Sequence, residues 1–216
     1  MEDKSFWKGQ VEIEAGRQKI EKLIHKCLKE QVTVLSLNNK GSSTVPTISV
    51  TDIHAMAEKC PNMEELLFCN MELVGWPSLR NPWLSMRILH INGASRVCFD
   101  NIALHESVPN IEQIAISGHQ SDDPIILPDM NGCEKLKTVN LMFGCFRMPG
   151  IIPFPPGLTE LDGTTRLLPE PYTRLRDCLG AIEEHCPDCN FKDDDDDDAF
   201  DEDEFEDEMK NHYMFT

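Results

Sequence analysis

The sequence predicts an α/β solenoid of about six irregular repeats, each giving one strand to a parallel concave sheet, with a helical cap at the N-terminus. Three observations predict it. An apolar triplet spaced i, i+3, i+5 recurs as Val32, Leu35, Leu37; Met63, Leu66, Phe68; Met86, Leu89, Ile91; Ile111, Ile114, Ile116; and Leu136, Val139, Leu141. A weaker copy is Leu158, Leu161 and Gly163, and the first positions lie 31, 23, 25, 25 and 22 residues apart. Second, a short prefix stands before several triplets: Cys60-Pro61, Val108-Pro109 and Pro155-Pro156, with Cys133 in the place of Cys60. A proline there ends the preceding segment and opens an extended one, and a cysteine is a small apolar residue suited to a buried corner. Third, segments of helical period fill some intervals between triplets, whereas Pro and Gly fill others. One alternating triplet would be an ordinary strand; a recurring period with a shared prefix makes a repeat.

The elements follow in order. Residues 14–30 read as a helix, because Ile20, Leu23, Ile24, Cys27 and Leu28 fall at i, i+3, i+4, i+7 and i+8. A solenoid must cover its first coil, so residues 1–31 are assigned as an N-terminal helical cap, with Phe6 and Trp7 tucked beneath it. Residues 32–192 form the repeat domain. Within it, Thr51 caps a helix that runs to Cys60 and turns Ile53, Met56, Ala57 and Cys60 inward. A shorter helix fits residues 100–107. Pro149, Gly150, Pro153, Pro155, Pro156 and Gly157 exclude a helix between Leu141 and Leu158, so that repeat crosses its convex side in extended or turn conformation. A last helix over 173–185 aligns Leu175, Cys178, Leu179, Ile182 and Cys186. Cys186-Pro187 then repeats the prefix before Cys189, like a seventh repeat begun and abandoned. Residues 193–216 are an acidic tail, expected to be disordered.

Most of the triplet spacings fall in the roughly 20–29 residue range of leucine-rich repeats. Cys60-Pro61-Asn62-Met63-Glu64-Glu65-Leu66-Leu67-Phe68-Cys69 resembles the cysteine-containing leucine-rich repeat of F-box and leucine-rich-repeat proteins. Val108-Pro109-Asn110-Ile111-Glu112-Gln113-Ile114-Ala115-Ile116-Ser117 is a second copy, and Cys133-Glu134-Lys135-Leu136-Lys137-Thr138-Val139-Asn140-Leu141 a third. The resemblance covers roughly residues 29–190. It implies a non-enzymatic module that recognises substrates for a ubiquitin ligase, with ligase subunits as possible partners. No Leu-Pro start of an F-box stands among the 31 residues before Val32.

Strand alternation names the candidate binding face. If Leu66 and Phe68 enter the core, Glu65, Leu67 and Cys69 face outward. The same register exposes Val34, Ser36 and Asn38; Ile88, His90 and Asn92; Gln113, Ala115 and Ser117; Thr138, Asn140 and Met142; and Glu160, Asp162 and Thr164. Val34, Leu67, Ile88 and Met142 are apolar, and apolar groups on an exposed sheet face mark protein-binding surfaces. The residues assigned to partner binding are Glu65, Leu67, Ile88, His90, Asn92, Gln113, Ser117, Thr138, Asn140, Met142, Glu160 and Asp162.

Charge and composition exclude other classes. The chain has 216 residues and a net charge of -18. Residues 193–208 hold 13 acidic and no basic side chains, leaving 25 acidic against 19 basic in residues 1–192. Such a body lacks the basic face that nucleic acid requires. No apolar run approaches the roughly 18 residues that cross a bilayer, so no membrane partner is expected. Met1-Glu2-Asp3-Lys4 does not open a secretory signal, and nine cysteines then read as thiols of a cytoplasmic or nuclear protein. His185, Cys186 and Cys189 form half of a zinc pattern without a second pair, so no metal or cofactor is assigned. Neither a nucleophile elbow nor a phosphate-binding glycine motif occurs, and no enzymatic activity is expected. Asp193, Asp195, Asp197, Asp201 and Glu204 match an EF-hand count by density alone, because Asp198 stands where the loop needs Gly.

The tail supports an alternative function. Phe200, Phe205 and Met209 sit among the acids, a pattern that can clamp basic proteins such as histones in a chaperone-like manner. In layout the chain also resembles the acidic leucine-rich nuclear phosphoproteins, although no Ser or Thr lies between Phe191 and Tyr213.

Overall fold

The computed structural model describes residues 10–14, 22, 24, 28, 30–39, 45–94, 96–99, 102–118, 125–142, 146–147, 153–163 and 179–192. Two parallel sheets run the length of a solenoid. The long sheet holds eight strands: β1 (Gln10–Glu14), β2 (Val34–Asn38), β4 (Glu65–Cys69), β6 (Ile88–Ala94), β8 (Gln113–Gly118), β10 (Thr138–Met142), β12 (Glu160–Gly163) and β13 (Asn190–Lys192), in that spatial order. The short sheet holds β3 (Thr47–Ser49), β5 (Glu72–Val74), β7 (Val97–Cys98), β9 (Ile125–Ile126) and β11 (Phe146–Arg147). Five successive coils, those of β2, β4, β6, β8 and β10, each pair a long strand with a short one. All the pairings are parallel, as stacking of successive coils requires.

The apolar triplets build the core. Leu35, Leu37, Leu66, Phe68, Leu89, Ile91, Ile114, Ile116, Val139, Leu141 and Leu161 are all buried, and the intervening residues are half-exposed. The first triplet positions, Val32, Met63, Met86, Ile111, Leu136 and Leu158, are buried as well. Ile48, Leu73, Val97 and Ile125 close the core from the short sheet. Trp76, Trp83 and Phe99 fill the space behind, with the two indoles edge-on at 6.3 Å.

The prefix makes one recurring turn. Backbone N–H groups of Met63, Met86, Ile111, Leu136 and Leu158 donate to the carbonyls of Cys60, Trp83, Val108, Cys133 and Pro155, at 3.0–3.2 Å. Trp83 thus occupies the cysteine position of the third repeat, where no Cys-Pro marks it in the sequence. Its indole Nε1 also donates to the Cys60 carbonyl at 2.9 Å, tying two coils together.

The seventh repeat is not abandoned. Cys189 N–H donates to the Cys186 carbonyl at 3.0 Å, the same turn, and β13 follows and pairs with β12. Only one residue separates Cys189 from Phe191, whereas two separate Leu158 from Leu161, the partner of Phe191 in register. That one-residue deletion hid the strand from the triplet spacing. At the other end, β1 adds a strand within the segment assigned to the helical cap. Val11 there pairs with Leu35 and packs on the core, but Lys8 stands where a triplet would begin with an apolar residue. Most of the expected 14–30 helix lies outside the described residues; Ile24 and Leu28 are buried and joined by a 3.1 Å helical hydrogen bond.

Helices are few. α1 spans Val50–Lys59, and its N-cap is Ser49 rather than Thr51. Ser49 accepts from Asp52 N–H at 3.3 Å, and Asp52 accepts from Ser49 N–H at 2.9 Å, a reciprocal capping box. Thr51 sits in the first turn and is exposed. Ile53, Met56 and Cys60 are buried as expected, and Ala57 is half-buried. Of the 100–107 segment, the described residues 102–107 hold a single 3-10 turn, Leu104–Glu106. α2 spans Leu179–His185; residues 173–178 lie outside the described residues. Between Leu141 and Leu158 the described residues are β11 and a turn at 153–157, in keeping with the Pro and Gly content.

Candidate functional site

The parallel register turns the outward residues of the long sheet into rows that cross the strands. One row reads Val34, Glu65, Ile88, Gln113, Thr138, Glu160 and Asn190. The next reads Glu12, Ser36, Leu67, His90, Ala115, Asn140, Asp162 and Lys192. A third begins with Glu14, Asn38, Cys69 and Asn92, and after a break continues with Ser117 and Met142. All twelve residues assigned to partner binding stand on this face, each half-exposed or exposed. Thr164 lies outside the described residues. Glu12 and Asn190 join the face from the two terminal strands that the triplet pattern missed.

The break in the third row has a cause. β6 carries one extra residue relative to β8 after Ile91, so Asn92 and Ser117 are not simple neighbours. Gly93 takes the left-handed conformation at φ 63°, and a Cβ there would collide with the Asn70 side chain of the previous coil. Its N–H donates to Ser117 Oγ at 3.1 Å, which pins the bulge.

The apolar residues do not form one patch. Val34, Leu67 and Ile88 sit on adjacent strands around Glu65. Met142 lies three strands from Leu67, about 14 Å at the usual strand spacing. Toward that end the face turns polar and acidic. Thr138 Oγ1 donates to Glu160 Oε2 and Asn140 Nδ2 to Asp162 Oδ2, both at 3.3 Å. Each carboxylate thereby has one oxygen held by the neighbouring strand. Lys192 of β13 stands in register with Asp162 at this end of the sheet.

His90 occupies the middle. Its Nε2 lies 3.3 Å from Gln113 Nε2. Partial burial holds its pKa below the usual value of 6.5, and the nearby Glu65 carboxylate works against that shift.

The remaining candidates have structural roles. Cys186 Sγ donates to the Pro155 carbonyl at 3.3 Å, and His185 Nε2 lies 3.1 Å from Asn131 Oδ1 and 3.0 Å from the Phe154 carbonyl. The His-Cys-x-x-Cys segment is thus the seventh turn, tied to the sixth. Burial pushes the Cys133 thiol up to about 12 and that of Cys186 up to about 11, so neither supplies thiolate near neutrality. Among the described residues no three His, Cys, Asp or Glu come together as a metal site. The EF-hand-like count falls wholly outside the described residues. On the return side a shallow cleft of about 250 Å³ is lined by His54, Ala57, Glu58, Leu79, Arg80 and Asn81. No described helix is long and apolar enough to cross a membrane.

Comparison with known proteins finds no matching family model, no similar curated protein and no similar solved structure.

Proposed function

We propose that this chain is a non-enzymatic interaction module that binds a protein partner on the open face of the long sheet. One observation carries the reading: eight strands present in-register rows of half-exposed side chains, with an apolar patch of Val34, Leu67 and Ile88 at one end. Strands fixed by a continuous core hold such rows rigidly, which lowers the entropy lost on binding. The finer form of the proposal, substrate recognition for a ubiquitin ligase in the cytoplasm or nucleus, is supported by the likeness of the Cys60–Cys69 segment to F-box repeats.

The test is recovery of partners by affinity purification with the parent chain and with Leu67→Glu/Ile88→Glu. Both positions are half-exposed, so the variant is expected to keep its thermal midpoint. Partners are expected to fall at least tenfold; undiminished recovery with a folded variant would sink the proposal.

A second reading makes the acidic run a clamp for basic proteins. It is supported by continuity: Asp193 follows directly on β13, one strand from Glu160 and Asp162. Loss of basic partners on removal of residues 193–216, with the sheet face intact, would favour it.

A further inference from the structure

The bulge in β6 places an asparagine directly before a glycine, Asn92-Gly93, on the open face. In such a pair the backbone amide of the glycine can attack the asparagine side chain, because no Cβ stands in the way. The chain holds a second pair of this kind, Asn131-Gly132. The fold demands the glycine at 93, through its left-handed backbone and its close approach to Asn70. It makes no such demand on Asn92, whose side chain is exposed and whose carbonyl accepts the Asn70 N–H at 2.8 Å as any residue there could.

Ser117 of β8 touches both groups that would react. Its Oγ accepts the Gly93 N–H at 3.1 Å, and its own hydroxyl donates to Asn92 Oδ1 at 3.5 Å. The Asn92 side-chain carbonyl is thereby turned toward the nitrogen that follows it. Asn131 is held differently. Its N–H and Nδ2 both donate to Asp129 Oδ1 at 3.0 Å, and its Oδ1 lies 3.1 Å from His185 Nε2. That side chain is fixed to its neighbours and half-buried.

We infer that Asn92 is a site of spontaneous deamidation, with Ser117 assisting ring closure. The Gly93 nitrogen loses its proton to water and bonds to Asn92 Cγ. The Cγ–Nδ2 bond breaks, and Nδ2 takes up a proton and leaves as ammonia. The Ser117 hydroxyl supports Oδ1 as negative charge gathers there. One water then opens the cyclic imide at either carbonyl, giving an aspartyl or an isoaspartyl residue at position 92. The open face gains a negative charge in register with Cys69. The effect of that charge on a partner rests on the reading of this face as the binding surface; the chemistry does not.

The experiment ages the full-length chain near neutral pH, folded and in denaturant, and follows both pairs by peptide mapping that separates asparaginyl, aspartyl and isoaspartyl forms. In the folded chain, conversion at position 92 is expected to outpace that at 131 by about tenfold, and in denaturant the two rates are expected to converge. Ser117→Ala is expected to slow position 92 severalfold and leave 131 unchanged, and Ser117→Thr to restore the parent rate. Equal conversion at the two pairs in the folded chain, or slower conversion at 92, would overturn the site. Conversion at 92 that is unmoved or quickened by Ser117→Ala would overturn the part given to Ser117.

Discussion

His90 reports on the state of the face. Burial favours its neutral form, so above pH 6.5 it is uncharged both folded and unfolded. As pH falls through 6.5 the unfolded chain takes up the proton first, and stability drops until the folded-state histidine protonates too. His90→Gln is therefore expected to flatten the decline of the thermal midpoint between about pH 7 and pH 5. Parallel curves for parent and variant would show that His90 senses no burial. At the same scale Trp83 shows what a repeat position can absorb. It replaces a small cysteine with the largest side chain and returns its indole hydrogen bond to the Cys60 carbonyl of the preceding coil.

At the scale of elements, local chemistry sets the boundaries. The Ser49–Asp52 box satisfies two backbone donors at the start of α1, so Ser49→Ala is expected to destabilise the fold by about 1 kcal/mol in chemical denaturation, and Thr51→Ala by under about 0.5 kcal/mol. Equal effects would return the cap to Thr51. Both residues are good caps by type, and only the backbone conformation at Ser49 separates them. The long strands were readable because alternation and period agreed over five copies. The terminal strands were not, since Lys8 replaces an apolar first position and the seventh copy lacks one residue after its turn. The short sheet was unreadable for a different reason. Its strands are two or three residues long, with one buried side chain each at Ile48, Leu73, Val97 and Ile125, too little pattern to carry a period. The outward residues followed from the same alternation as the core. Their grouping did not: the separation of Met142 from Leu67 and Ile88 depends on strand order and register, which spacing alone leaves open.

Across the whole molecule, stacking leaves the long sheet with two edge strands, β1 and β13. β1 carries Glu12 and Glu14, and β13 has three residues and leads into the Asp193–Asp198 run. Short, charged edges resist edge-to-edge pairing with other chains. The net charge of -18 thus has local meaning, with 13 acidic residues following β13 in the sequence and carboxylates along the open face. The long sheet is built inward to a continuous core and outward to a row-ordered surface, and the account stands on that surface being where a partner sits. Photo-crosslinking tests this most directly, with a photoreactive residue placed at Ala115 in the centre of the face or at Leu84, which is 64% exposed and off the face. The account predicts a crosslinked protein partner from position 115 that disappears when Leu67→Glu is added, and none from position 84. Capture from position 84 alone, or capture from 115 that survives Leu67→Glu, would contradict it.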